Sequence, residues 1–138
     1  MNARKFYEVA GIRLAAIASN IRYADRLDLV LIEIARGAAV AGVYTQNAFC
    51  AAPVLLAKQH LQTATSRYFL INTGNANAGT GAAGRDDAFR CCQALAELTE
   101  VQACSVLPFS TGVIGEPLPV DKIVFGLPEA IDKLAASN

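Results

Sequence analysis

Ser110, Thr111 and Gly112 stand where the apolar run Leu107-Pro108-Phe109 gives way to the loop Val113-Ile114-Gly115-Glu116-Pro117. A threonine followed by glycine at such a corner can aim a side-chain hydroxyl and an unshielded backbone N–H at one point. That arrangement stabilises the oxyanion formed when a nucleophile adds to an acyl carbonyl. No nucleophile paired with a base lies nearby in sequence. On spacing alone the plainer reading is a turn whose hydroxyl satisfies the backbone.

Other patterns carry weaker chemistry. Gly79-Thr80-Gly81-Ala82-Ala83-Gly84 matches G-x-G-x-x-G, with Glu97 and Glu100 further on. Dinucleotide sites, however, place their first glycine in the tight turn directly after a strand, whereas residues 72–78 intervene here. Residues 74–79 have the glycine spacing of a phosphate loop, but Thr80 and Gly81 occupy the positions of the required lysine and hydroxyl residue. Asn75 and Asn77 read either as residues that bond their own backbone in a tight loop or as residues that position a substrate or a neighbouring catalytic loop.

His60 is the only histidine. A Ser-His or Cys-His site would have to join it to Ser105, Ser110 or a cysteine, and its apolar surroundings favour a satisfied or surface side chain. Arg85, Asp86 and Asp87 read as solvated residues complementing a helix N-terminus. Cys50, Cys91, Cys92 and Cys104 lack paired C-x-x-C spacing and read as buried reduced thiols. No metal set and no cofactor emerges.

The elements that must position these residues follow from periodicity. Residues 13–21 form a short apolar segment, and the β-branched run 29–35 predicts a strand. Arg36-Gly37 predicts a turn, and residues 38–44 a returning strand, so the chain is expected to open as antiparallel hairpins. Residues 53–61 fit either a strand or a helical turn. Residues 68–71 predict a strand, and residues 85–100 a helix with an apolar face of Ala88, Cys91, Cys92, Leu95 and Leu98. A further strand is expected over 103–109, a helix starting near Leu118 with proline in its first turn, and a final helix over 128–134. The fold class expected is α+β, in layers, without internal repeats.

The 138 residues make one domain-sized segment. Lys plus Arg and Asp plus Glu each number 12, with no basic block to track a phosphate backbone, so nucleic acid is an unsuitable partner. A hydrophobic content of 54% against 17% charged residues is apolar enough to imply contact with another chain. No apolar run reaches the ~18 residues of a membrane span. Residues 1–5 do not open a signal peptide, so the expected location is cytoplasmic. The end at 135–138 lacks an obvious concluding element, which suggests a segment of something longer.

Three stretches in order carry a resemblance: Ala51-Ala52-Pro53-Val54-Leu55-Leu56, Asn72-Thr73-Gly74-Asn75-Ala76-Asn77-Ala78 and residues 110–119, preceded by Gly42-Val43-Tyr44-Thr45-Gln46-Asn47. Together they resemble the N-terminal half of the glutamate/ornithine N-acetyltransferase family of arginine biosynthesis. The resemblance implies a layered α/β sandwich of the N-terminal-nucleophile type, of which this chain is the N-terminal portion. It also implies acetyl transfer from N-acetylornithine to glutamate by a ping-pong route, with acetyl-CoA as a further donor in some members.

In that family the precursor cuts itself before a threonine, which becomes the N-terminal nucleophile of a separate β chain. Its own amine can serve as base, so no histidine is needed beside it. By the same resemblance Thr111, through its hydroxyl, and Gly112, through its N–H, form the oxyanion hole, and the Asn75–Asn77 loop lies close to them. The cleavage segment, the nucleophile and the main substrate-binding residues are expected downstream of Asn138. The chain is therefore expected to be an incomplete α chain, silent alone, working in an α/β hetero-oligomer. Alternatives are a self-processing amidohydrolase or aminopeptidase of similar fold, and a noncatalytic assembly domain.

Overall fold

The computed structural model describes residues 7–136; the N-terminal stretch weighed above as a possible targeting segment, residues 1–5, lies outside them. Four strands form one sheet: β1 (Ile12–Ile17), β2 (Leu29–Ile34), β3 (Tyr68–Asn72) and β4 (Val106–Ser110). Their spatial order is their chain order, with β1–β2 and β2–β3 antiparallel and β3–β4 parallel. The parallel step requires a crossover, supplied by α2 (Gly81–Thr99). Helix α1 (Ala52–Thr63) connects β2 to β3, and α3 (Val120–Asp132) follows β4. The fold class is α+β, as expected.

Side chains alternate across the strands, and one face is buried beneath the helices. Ala15, Ile17, Leu29, Leu31, Leu70 and Val106 from the sheet join Leu56, Cys92, Leu95, Ile123 and Leu127 from α1, α2 and α3 in one core. Helix α1 packs on α2 and β4, while α3 packs on α2, β1 and β2. The opposite face is apolar but only half covered. Leu14, Ile32 and Phe69 form one row and Val30, Ile71 and Phe109 the next, all exposed or half-buried. Phe69 and Phe109 meet edge to face at 5.3 Å.

Several expectations require correction. Residues 38–44 form no strand and are largely exposed, because both edges of β2 are already occupied by β1 and β3. Residues 53–61 are helical, with Pro53 in the first turn, where a missing N–H costs nothing. Residues 103–105 form a 3₁₀ turn before β4. Pro108 within β4 is tolerated because β4 is an edge strand.

The two helices expected around residues 118 and 128 are one, α3, with Pro128 inside it. Proline breaks one helical hydrogen bond. Burial of Leu127 and Ala130 on either side of it opposes that cost. Helix α2 begins at Gly81, four residues earlier than expected, which puts Asp86 and Asp87 in its second turn rather than at its positive end. Leu98, expected on the buried face, is 50% exposed. Beyond α3, Ala135 forms an antiparallel bridge with Leu14 at the outer edge of β1.

Candidate functional site

Strands β3 and β4 end side by side, with Asn72 opposite Ser110. The chain leaves β3 into residues 73–80 and leaves β4 into residues 111–119, so the parallel pairing brings the two polar loops together. Asn72, Asn75 and Asn77 are all buried. Unpaired amides would be costly there, and each finds partners.

Asn72 holds the end of β4. Its carbonyl accepts the Thr111 N–H at 3.1 Å, its Oδ1 accepts the Ser110 hydroxyl at 2.6 Å, and its Nδ2 donates to the Asn75 carbonyl at 2.9 Å. Asn75 reaches further along the second loop, where its Nδ2 donates to the Glu116 and Pro117 carbonyls at 3.2 and 3.0 Å. The Asn75 Oδ1 accepts the Asn77 N–H at 2.8 Å. Asn77 adopts φ 46°, a left-handed conformation that asparagine tolerates better than most residues. Its Nδ2 donates to the Gly84 carbonyl in α2 at 2.8 Å, and its Oδ1 accepts the Thr80 hydroxyl at 2.8 Å.

Backbone contacts complete the junction. Ala76 N–H donates to Val113 O at 2.9 Å and Gly115 N–H to Ala78 O at 2.8 Å. Gly112, with φ 132°, lies so close to the other loop that a Cβ on it would stand 2.4 Å from Gly74 C and 2.6 Å from Asn75 N. Only glycine fits, since a real Cβ essentially never approaches that closely. Thr111, with its hydroxyl, and Gly112, with its N–H, are exposed. Both donors border a cleft of about 290 Å³ lined also by Arg22, Tyr23, Arg26 and Thr73. Arg22 of that lining pairs with Glu116 at 2.8 Å, and hydrogen bonds to Tyr23 and then Glu116 raise its pKa.

The remaining sequence candidates fall elsewhere. His60 is buried, with Nδ1 2.7 Å from the Val106 carbonyl and its ring edge-on to Phe89, so it caps edge strand β4 instead of serving a hydroxyl. All four cysteines are free. Cys91 and Cys92 are buried as expected, whereas Cys50 and Cys104 are only half-buried. Desolvation pushes Cys91 up to about 12 and raises Cys92 as well, which leaves both protonated and unreactive. Gly79 belongs to the loop and Gly84 to the first turn of α2, so the glycine pattern spans a loop-to-helix entry and not a tight turn after β3. Asp87 pairs with Arg90 at 3.4 Å. Among the described residues no group of three or more His, Cys, Asp or Glu is placed to hold a metal.

Sequence reasoning missed Asn72 and Ser110 as structural partners and Asn75 as a double donor. The signal that would find them is register, and parallel pairing between strands separated by a helix is not written in local spacing.

A family model described as the ArgJ family matches residues 13–138. The chain belongs to the ArgJ family. Two ArgJ relatives, the arginine biosynthesis bifunctional proteins of Pseudomonas syringae pv. tomato and Psychrobacter arcticus, are 55% and 54% identical to it over 132 residues. In each case the match covers 96% of this chain and 32% of the relative, so the chain spans about a third of the length of these relatives.

Solved ArgJ-type structures agree. The ornithine acetyltransferase of Mycobacterium tuberculosis, crystallised with ornithine, superposes with TM-score 0.88 at 37% identity. That superposition covers 93% of this chain and 69% of the other. The arginine biosynthesis bifunctional protein of Bacillus halodurans gives TM-score 0.85 at 33% identity, covering 93% and 66%.

Proposed function

We propose that this chain is the α-chain part of a glutamate/ornithine N-acetyltransferase and supplies the oxyanion hole for acetyl transfer from N-acetylornithine to glutamate. Acetyl-CoA serves as a further donor if the enzyme is bifunctional, as the names of its ArgJ relatives suggest. The observation that carries this reading is that the Thr111 hydroxyl and the Gly112 N–H belong to exposed residues bordering one cleft, at a corner held from below by the Asn72 and Asn75 hydrogen bonds. Such preorganised donors do not reorganise when charge develops on the substrate carbonyl oxygen.

The nucleophile is the N-terminal threonine of a β chain produced by self-cleavage of the precursor. Its hydroxyl adds to the acetyl carbonyl while its own α-amine takes the proton, and the resulting oxyanion accepts bonds from Thr111 and Gly112. Collapse, with the α-ammonium returning that proton to the leaving nitrogen, breaks the C–N bond, releases ornithine and leaves acetyl on the threonine oxygen. The glutamate amine then attacks, giving up a proton to the α-amine and forming a second oxyanion at the same donors; its collapse breaks the bond to the threonine oxygen, which takes that proton back as N-acetylglutamate leaves. The half-covered sheet face supports a partner in the α/β assembly, because Ile32, Phe69, Ile71 and Phe109 offer a further layer an apolar seat. We place the enzyme in the cytoplasm. Four free thiols suit a reducing compartment, and no described helix is long and apolar enough to cross a membrane.

The test is acetyl transfer to glutamate, assayed with the 138-residue chain alone and with the chain joined to the remainder of an ArgJ-length enzyme. The joined protein is expected to transfer acetyl and the chain alone to be silent. Turnover by the chain alone overturns the half-site reading. Release of free acetate or an N-terminal amino acid, without transfer, points to a hydrolase.

A further inference from the structure

We infer that Asn75 is a positioning residue for acyl transfer, acting through the Thr111–Gly112 corner without touching substrate. The inference rests on the acetyl-transfer reading of that corner. Its basis is the number of restraints on residues 110–117 that originate in one buried loop. The Gly74–Asn75 peptide packs directly against Gly112, within the distance that excludes a Cβ. The backbone of Asn75 bridges both Thr111 and Val113. Its side-chain amide clamps the Glu116 and Pro117 carbonyls beyond them, and its Oδ1 is spent on Asn77 N–H. Asn75 thus holds the donor corner at its middle and at its far end, while Asn72 holds its near end through Thr111 N–H and the Ser110 hydroxyl.

This chemistry calls for asparagine at position 75. The buried Asn75 side chain meets two partly buried carbonyl oxygens that take donors and one buried backbone N–H that takes an acceptor; a neutral amide presents both, whereas a carboxylate presents acceptors only. The device is also uncharged. Asn75 therefore orients the donors without adding a charge to a cleft whose lining already carries Arg22, Arg26 and Asp28. Ser110 is a milder component, because its hydroxyl contributes one bond to the near-end restraint.

The experiment uses Asn75→Asp and Ser110→Ala in the complete enzyme. Expected for Asn75→Asp is a kcat about tenfold or more below the unsubstituted enzyme with KM for N-acetylornithine within about twofold, as a misplaced donor costs rate before binding. For Ser110→Ala the kcat falls about threefold with KM again held. In ¹⁵N–¹H spectra both substitutions are expected to move the Thr111 and Gly112 amide signals. A purely structural role would lower melting temperature and active fraction while leaving kcat per folded molecule unchanged, and that result overturns the inference. So does a rise in KM at constant kcat. If Asn75→Asp does not fold, Asn75→Ala, which removes the amide without adding a buried carboxylate, decides by the same criteria. If the unsubstituted enzyme transfers no acetyl group, the function reading fails on its own; the spectra then judge the positioning, and unmoved Thr111 and Gly112 signals overturn it.

Discussion

Strand β3 links two polar clusters of opposite character. At its start, Tyr68 donates its hydroxyl to Glu33 Oε1 at 3.1 Å, Arg13 pairs with the other carboxylate oxygen, and Arg67 Nη2 lies 3.8 Å from Oε1. At its end, Asn72 begins a neutral network that ties two loops together beside the exposed Thr111 and Gly112. The charged end satisfies itself: the hydrogen bond from Arg13 holds the Glu33 carboxyl below its ordinary range despite desolvation, with Tyr68 and Arg67 adding to the effect. That cluster sets two guanidiniums around one carboxylate. The amide end ties its loops together with neutral side chains and leaves Thr111 and Gly112 exposed on a cleft, the arrangement the proposed acyl transfer would use.

If this contrast is right, the two ends respond differently to substitution. The largest effect belongs to Gly112→Ala, whose added carbon must push against the Gly74–Asn75 peptide at φ 132°. Turnover of the complete enzyme is expected to fall by ~10³ or more, the upper range for a lost oxyanion donor. Near-normal turnover would break the comparison outright. Thr111→Val keeps shape and removes one donor, so kcat is expected to drop by ~10²–10³ with substrate binding little changed. Steady-state kinetics on both substrates check this, and unchanged kcat removes Thr111 from the mechanism.

Glu33→Gln is the smallest change and lies at the other end. It is expected to leave kcat intact and to lower stability by about 1 kcal/mol. Because the folded carboxyl titrates below its unfolded value, its stabilisation is full above the ordinary carboxylate pKa and fades as pH falls through the lowered one. Melting temperature measured from neutral to acid pH should therefore fall less steeply for Glu33→Gln. Loss of catalysis in this variant would mean that the two ends are not independent.

Much of this could be read from the chain before any coordinates. Strands β2 and β3 and most of α2 were marked by β-branched runs and a helical apolar face, since both signals are local. The Thr111–Gly112 corner stands out because hydroxyl and glycine replace apolar residues abruptly, but the role proposed for it rests on resemblance and not on spacing. What local pattern misread was competition for space. The stretch 38–44 resembles a strand in composition, yet β1 and β3 already hold both edges of β2. Pro128 suggested a boundary, yet packing of Leu127 and Ala130 carries α3 through it. The amide network was hidden for a related reason: Asn72 meets Ser110 only after α2 has carried the chain over the sheet.

The adjacent cysteines of α2 have a use unrelated to their chemistry in the living enzyme. Cys91 and Cys92 are buried among Leu95, Leu70 and Ile123, and both thiols resist ionisation. A thiol-reactive dye can reach Cys92 only when α2 lifts from the sheet, whereas Cys50 and Cys104 offer it partly open sites from the start. Labelling time courses thus separate a fast surface phase from a slow one. The slow phase is a built-in clock for the opening of the crossover helix whose first turn anchors Asn77.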